Sequence, residues 1–280
     1  MVWRDILAFA DASDDGLARA KIAQDIADAH KAHLEVDVVS PLPAPPYGPG
    51  AEMISQIYAD ALAPARAASA AAVAKVRAAL RQDVEAVSVH ERDCIFSDAR
   101  ALAARAARTS DLVVLGKPEG LDRSDLDTEI FLGAVFGGGH PCLVLPRWIQ
   151  PHKFGRRVLI AWKSTPEAAR AVQAAMPFIA AAEAVRISVA NPRSGQEGED
   201  AAGLDRLATY LMRHGARVEP PVVRSSWEGP EKMFPSEIEA FNADMLVMGA
   251  YSRPRLQEIV FGGMTAAMVR EARIPLLITH

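Results

Sequence analysis

The sequence predicts an α/β protein of two tandem doubly wound domains, each a parallel sheet of about five strands flanked by helices. Three observations carry this expectation. Short apolar runs alternate with longer helical segments along the chain. The segment SDLVVLG (Ser110 to Gly116) returns as ADMLVMG (Ala243 to Gly249). HPCLVLP (His140 to Pro146) returns as IPLLITH (Ile274 to His280), so one unit is written twice. The expected domains are 1–146 and 157–280, joined by the linker Pro146 to Arg156.

In the first half, Ile6 to Ala10 reads as a strand, and Ala18, Ile22, Ile26 and Ala29 then share one helical face. Leu34 to Val39 is the second strand. PLPAPPYGPG follows and is neither a central strand nor a helix, because proline removes N–H donors and fixes φ. Ser55 to Leu80 is a long alanine-rich helix with a break or kink expected at Pro64. Val84 to Val89 alternates as a third strand, and Asp98 to Arg108 turns Ala99, Leu102, Ala103 and Ala106 inward. Leu112 to Leu115 is continuously apolar, as a parallel strand buried on both faces must be. Cys142 to Leu145 closes the half.

The second half repeats the order. Arg157 to Ala161 is a strand, and Thr165–Pro166 supplies an N-cap with proline at the first helical position. Ala168, Val172, Ala175, Met176 and Ile179 form the buried stripe. Val185 to Ala190 is a strand, Leu204, Leu207, Ala208 and Leu211 mark a helix, and Ala216 to Val223 is the next strand. Ser236 and Glu239 have capping-box spacing. Met245 to Met248 and Leu276 to Thr279 complete the set.

Composition narrows the function. The 280 residues allow two modest domains, and half of them are hydrophobic. A net charge of −4 and a pI near 6.0 leave no basic footprint for nucleic acid. No apolar run approaches the roughly 20 residues that cross a bilayer, so no membrane partner is expected. The N-terminal MVWRDILAFAD reads as a strand rather than a signal peptide. Cys94 and Cys142 lack metal or redox spacing and are expected reduced, in a cytoplasmic protein.

The segment LVMGAYSRPRLQEIVFGGMT, Leu246 to Thr265, is the candidate site. A strand runs into Gly249. A loop with Arg253 and Arg255 follows, and Gly262 and Gly263 open an apolar helix. Glycines let amides approach an anion, and a helix start adds unpaired N–H donors, so the segment reads as a phosphate cradle.

These residues resemble the universal stress protein family in its tandem two-domain form. Nucleotide-binding members carry Gly-x2-Gly-x9-Gly-Ser/Thr after the fourth strand. Gly249 and Gly262 stand at the first and third motif positions; Ser252 replaces the second glycine and Gly263 the hydroxyl residue. Thr265 offers a hydroxyl two residues beyond. Serine for glycine costs about 1 kcal/mol where φ is positive, and the lost hydroxyl removes a charged hydrogen bond worth about 1.5–3 kcal/mol. The resemblance implies a Rossmann-like fold of the adenine nucleotide alpha hydrolase type. It implies ATP, with Mg as a companion ion, as the ligand, and backbone near Ala161 and Ala190 as the adenine pocket. It also places an acid after the first strand. The first half keeps Asp11 and Ser13 in ADAS; the second has Trp162 and Lys163 in AWKS, open either to base stacking and phosphate contact or to sheet capping and solvation.

The two halves differ in charge. The first-half segment Gly116 to Gly133 holds Glu119, Asp122, Asp125, Asp127 and Glu129 against Lys117 and Arg123, and would repel a triphosphate. Its spacing is not that of an EF-hand, and it reads as a solvated acidic loop. Gly137 to Gly139 reads as a helix-to-strand turn. The second half is therefore the expected nucleotide site.

No Gly-x4-Gly-Lys-Ser/Thr loop, Gly-x-Ser-x-Gly elbow, His-Glu-x-x-His or Cys-x-x-Cys occurs. His30 and His33 read as surface histidines. The expected function is a non-enzymatic stress-response module whose C-terminal domain binds an adenine nucleotide as a switch toward a protein partner. The alternatives are an interaction protein with both sites degenerate and a slow nucleotide hydrolase. The apolar endings CLVLP and LLITH are expected to pair inside the chain as a pseudo-dimer, with a homodimer also compatible.

Overall fold

The computed structural model describes residues 3–280 apart from 47–50, 82–85, 122–124, 150–153, 191–196, 225–228, 251, 256–257 and 262. For 51–55, 197–202, 252–255 and 258–261 it describes the backbone alone. The chain divides into two compact units: an N-terminal unit of Trp3–Gly116 and Ser124–His140, and a C-terminal unit of Lys117–Arg123 and Pro141–His280.

The N-terminal unit runs β1 (Asp5–Ala10), α1 (Asp14–His30), β2 (His33–Leu42), α2 (Ala51–Ala79), β3 (Val87–Ile95), α3 (Ala99–Ala107), β4 (Leu112–Gly116) and α4 (Leu126–Gly137). Its strands lie in the order β3-β2-β1-β4, all parallel, with Ile6 level with Leu34 on one side and Leu112 on the other. The apolar run of β4 is fully buried. Ser13 caps α1, its Oγ accepting from the Gly16 amide at 3.0 Å, and Asp14 and Asp15 complement the helix dipole.

Several boundaries differ from expectation. The helix α2 runs through Pro64; that position is exposed, so water can take the carbonyl the missing N–H leaves. The strand β2 extends through Pro41 to Leu42, and β3 reaches Ile95, because the two stay in register from Leu34↔Val87 to Leu42↔Ile95. Part of the expected acidic loop is helix. Asp125 caps α4, accepting from the Thr128 amide at 2.8 Å, and Glu129 in the first turn grips Arg100 with both oxygens.

The C-terminal unit runs β5 (Cys142–Leu145), β6 (Arg157–Ala161), α5 (Pro166–Ala174), α6 (Met176–Ala181), β7 (Ala184–Ala190), α7 (Glu197–Arg213), β8 (Val222–Arg224), α8 (Pro230–Phe241), β9 (Met245–Gly249), β10 (Ser252–Arg255), β11 (Glu258–Phe261), α9 (Gly263–Glu271) and β12 (Leu276–Thr279). The parallel strands follow the order β12-β9-β6-β7-β8. The strand β5 joins this unit antiparallel to β12, with Leu143 opposite Leu277, so the two apolar endings do meet. The expected strand from Ala216 is shorter. Val218 makes one bridge to Val185, and Pro220 and Pro221, without N–H donors, postpone the ladder to Val222.

The duplicated motif has one structural job in both units. Asp111 Oδ2 accepts from the amides of Arg4 and Asp5 at 2.6 and 3.1 Å, and Asp244 accepts from those of Gly155, Arg156 and Arg157 at 3.0, 3.1 and 2.9 Å. Each carboxylate satisfies donors at the start of its repeat's first strand, β1 or β6. Lys117 closes another end: its Nζ donates to the carbonyls of Arg270 and Ala272 at the C-terminus of α9, at 3.0 and 2.9 Å.

Candidate functional site

In each unit the strand order reverses beside the first strand of the repeat: between β1 and β4 in one, and between β6 and β9 in the other. Ligands of open α/β sheets bind in the crevice beyond the strand ends at this switch point. The two crevices are built differently.

In the C-terminal unit, Ala161 ends β6 level with Met248 on one side and Ser188 on the other. The Trp162 amide continues the ladder to the Ser188 carbonyl at 2.9 Å, leaving Trp162 half-buried and Lys163 exposed. Thr165 caps α5 through the Ala168 amide at 3.4 Å. Ala190 lies one strand further out, level with Arg224.

Gly249 is required by this corner. A Cβ there would lie 2.7 Å from the Ala168 nitrogen and 2.8 Å from the Glu167 carbonyl carbon, both backbone atoms of the first turn of α5. The next amide, of Ala250, donates to the Thr279 carbonyl at 2.6 Å. Packing therefore accounts for the glycine that the sequence assigned to an anion.

The segment read as a loop is an antiparallel hairpin, with Ser252 opposite Phe261, Arg253 opposite Val260 and Arg255 opposite Glu258. The ladder engages backbone groups that an open cradle would leave to a ligand. The side chains of Ser252, Arg253 and Arg255, and all of Gly262, lie outside the described residues. Gly263 begins α9 with room beside it: the nearest atom to a Cβ there would be Glu231 Oε2, 3.8 Å away. Thr265 is in the first turn of α9 and buried. Ala161, Trp162, Lys163 and Gly249 thus gather at one crevice.

Two buried groups escaped the sequence reading. Ser188 Oγ and Glu237 Oε2 have no hydrogen-bond partner among the described residues, although Glu237 Oε1 pairs with Arg224 Nε at 2.7 Å. Neither stands in a motif, so only burial reveals them.

In the N-terminal unit, Asp11 follows β1. Its Oδ1 accepts from the Ser13 amide at 2.7 Å, and its Oδ2 from Arg19 Nη2 at 2.9 Å. Arg19, on α1, is 9 % exposed. Its Nη1 occupies the place a Cβ on Gly116 would take, and its Cζ lies 2.8 Å from that place. Beside it is a cavity of about 30 Å³ lined by Phe9, Val39, Gly116, Leu126 and Ile130, with Asp11 and Asp127 at its polar side. The sequence reading kept Asp11 but passed over Arg19, which carries no motif.

The sequence model of the universal stress protein family matches residues 155–280. Residues 155–280 belong to the universal stress protein family. The fold of the chain agrees over its whole length. A universal stress protein from Archaeoglobus fulgidus DSM 4304 superposes with a TM-score of 0.66 at 15 % identity, covering 98 % of this chain and 95 % of that one. A putative universal stress protein from Pseudomonas aeruginosa UCBPP-PA14 gives 0.64 at 18 % identity, over 99 % and 93 %. A functionally unknown protein from Pseudomonas aeruginosa PAO1 gives 0.62 at 17 % identity, over 99 % and 92 %. At these identities the likeness is one of fold. No curated protein matches the chain. Among the described residues, no group of three or more His, Cys, Asp or Glu side chains could hold a metal, and no helix is long and apolar enough to cross a membrane.

Proposed function

We propose that this universal stress protein acts by binding rather than catalysis, and that its C-terminal unit takes an adenine nucleotide at the β6/β9 crevice as a switch toward a protein partner. The observation that carries the reading is the gathering of Ala161, Trp162, Lys163 and Gly249 at the switch point of the sheet, together with the room beside Gly263 at the start of α9. The base stacks on Trp162, and the backbone at Ala161 and Ala190 lines its pocket. We place the phosphates toward α9 and Lys163, with Arg253 and Arg255 as the further cations this reading assigns to them. Glu231 near that helix start disfavours a bare polyphosphate, so ATP enters as its magnesium complex. Titration of the full chain with a fluorescent ATP analogue should saturate, and Trp162→Ala with Lys163→Ala should weaken it at least tenfold. Absence of binding at millimolar ligand removes the reading.

The hairpin and the packing role of Gly249 favour a second reading, a nucleotide-independent interaction protein. A melting temperature that does not move with ATP concentration selects it; a rising one selects the first.

A further inference from the structure

We propose that the N-terminal crevice is a closed pseudo-site, plugged by the chain's own Arg19, which is latched to Asp11 and seated over Gly116 where a ligand would approach the sheet.

Four observations converge. The first is place. Phe9, Val39 and Gly116, from β1, β2 and β4, meet at the switch point of their sheet, and Arg19 sits among them. The second is volume. Beside Arg19 about 30 Å³ of water-sized space remains, room for a water or two at about 10–15 Å³ of such space per water, so its side chain has taken much of the crevice.

The third is the latch. Asp11 holds Nη2 at 2.9 Å while its other oxygen is fixed by the Ser13 amide, and Ser13 in turn caps α1, the helix that carries Arg19. Strand end, cap and arginine form one closed circuit. Gly16 is part of it: a Cβ there would lie 2.5 Å from the Asp11 carbonyl oxygen and 2.6 Å from Oδ1. The fourth is the arginine's own condition. Its Nε is buried without a hydrogen-bond partner among the described residues. An unmet donor on a buried guanidinium is costly, and is tolerated here where the side chain fills space that would otherwise stand open.

The two glycines that end the fourth strand of each repeat therefore do opposite things. Gly249 accommodates a backbone turn, whereas Gly116 accommodates a side chain that can swing away. The plug is removable by a single substitution without rebuilding the fold.

The test counts adenosine sites per chain by equilibrium dialysis on the full-length protein. Adenosine is used because Asp11, Asp127 and the acidic start of α4 would oppose phosphates. Arg19→Ala should add one saturable site relative to wild type. Arg19→Met, which keeps the bulk, should add none. Because the count is a difference from wild type, it reads the plug whether or not the C-terminal unit binds nucleotide. Equal gains in both variants, or no gain in a folded Arg19→Ala protein, would overturn the proposal. So would labelling of wild-type peptides within 3–116 by a photoreactive azidoadenosine, a measurement that needs no variant to fold.

Discussion

Thr279 Oγ1 donates a hydrogen bond to the carbonyl oxygen of Glu167 at 2.7 Å. The bond ties the end of β12 to the first turn of α5, against the strand end at Gly249, and both partners are shielded: Thr279 is 5 % exposed. The carboxyl of Glu167 is held below the usual carboxylate range, chiefly by its own backbone amide, with Thr165 and Arg170 assisting against the cost of burial. This corner is the rigid floor of the proposed nucleotide crevice. Thr279→Val keeps the shape and deletes the donor, and should cost about 1 kcal/mol. An unchanged urea midpoint would show that the bond contributes nothing.

The contrast between the two strand-end glycines predicts unequal costs for one chemical change. In Gly249→Ala the new methyl meets backbone of α5, which cannot yield locally; overpacking of this kind costs about 1–3 kcal/mol. In Gly116→Ala it meets only the far end of Arg19, which can rotate into solvent at a smaller cost. Urea denaturation of both variants compares them, and equal losses contradict the argument.

A pH dependence follows from Asp37. This residue is fully buried on β2, with Oδ1 accepting from Arg92 Nε at 2.8 Å and Oδ2 without a partner among the described residues. Arg92 also reaches Glu35 at 2.7 Å, and His90 stands 3.8 Å from Glu35. Burial pushes the Asp37 carboxyl up to about 6, against the opposing pull of Arg92. The sign is the reverse of an ordinary paired aspartate. Between the unfolded value near 3.8 and about 6 the native state holds the proton more tightly, so this group's contribution to stability is greatest below that window. It declines as pH rises through the window and stays lost above it. At 1.36 kcal/mol per unit the swing is on the order of 3 kcal/mol. Asp37→Asn should therefore gain on wild type as pH rises from 4 to 7 in urea titrations. A pH-independent difference would refute this assignment.

The thiols give a simpler test. Cys142 is fully buried and its thiol is pushed far up by burial; Cys94 is raised by burial and by Asp98 and Asp93. Neither should react with a maleimide at pH 8 in the native protein, and both should react in urea. Rapid native labelling of Cys142 would place β5 differently.

The elements that could be read from sequence are those fixed by local pattern. The repeat of SDLVVLG as ADMLVMG predicted two fourth strands, and the aspartate inside each copy proved to hold the first strand's amides. Thr165–Pro166 announced α5 because capping is a property of adjacent residues. The site was less legible because its determinants are distant in the chain. Nothing near Gly249 in sequence shows that residues 167 and 168 press against it, and nothing near Gly116 shows that Arg19 covers it. A glycine required by a neighbouring turn, one covered by an arginine side chain and one awaiting a phosphate look alike in a motif. The hairpin β10–β11 was missed because Pro254 and flanking arginines read as loop, whereas Ile259 and Val260 favour strand opposite them.

The exchange at β5 constrains how this protein can be taken apart. The final strand of the first repeat is lodged antiparallel against β12 of the second. Severing the chain near residue 150 and expressing 157–280 alone would leave β12 with a bare, apolar flank, the kind of margin that recruits foreign strands. A cut that respects the packing would therefore fall before Pro141, so that β5 travels with the strand it covers.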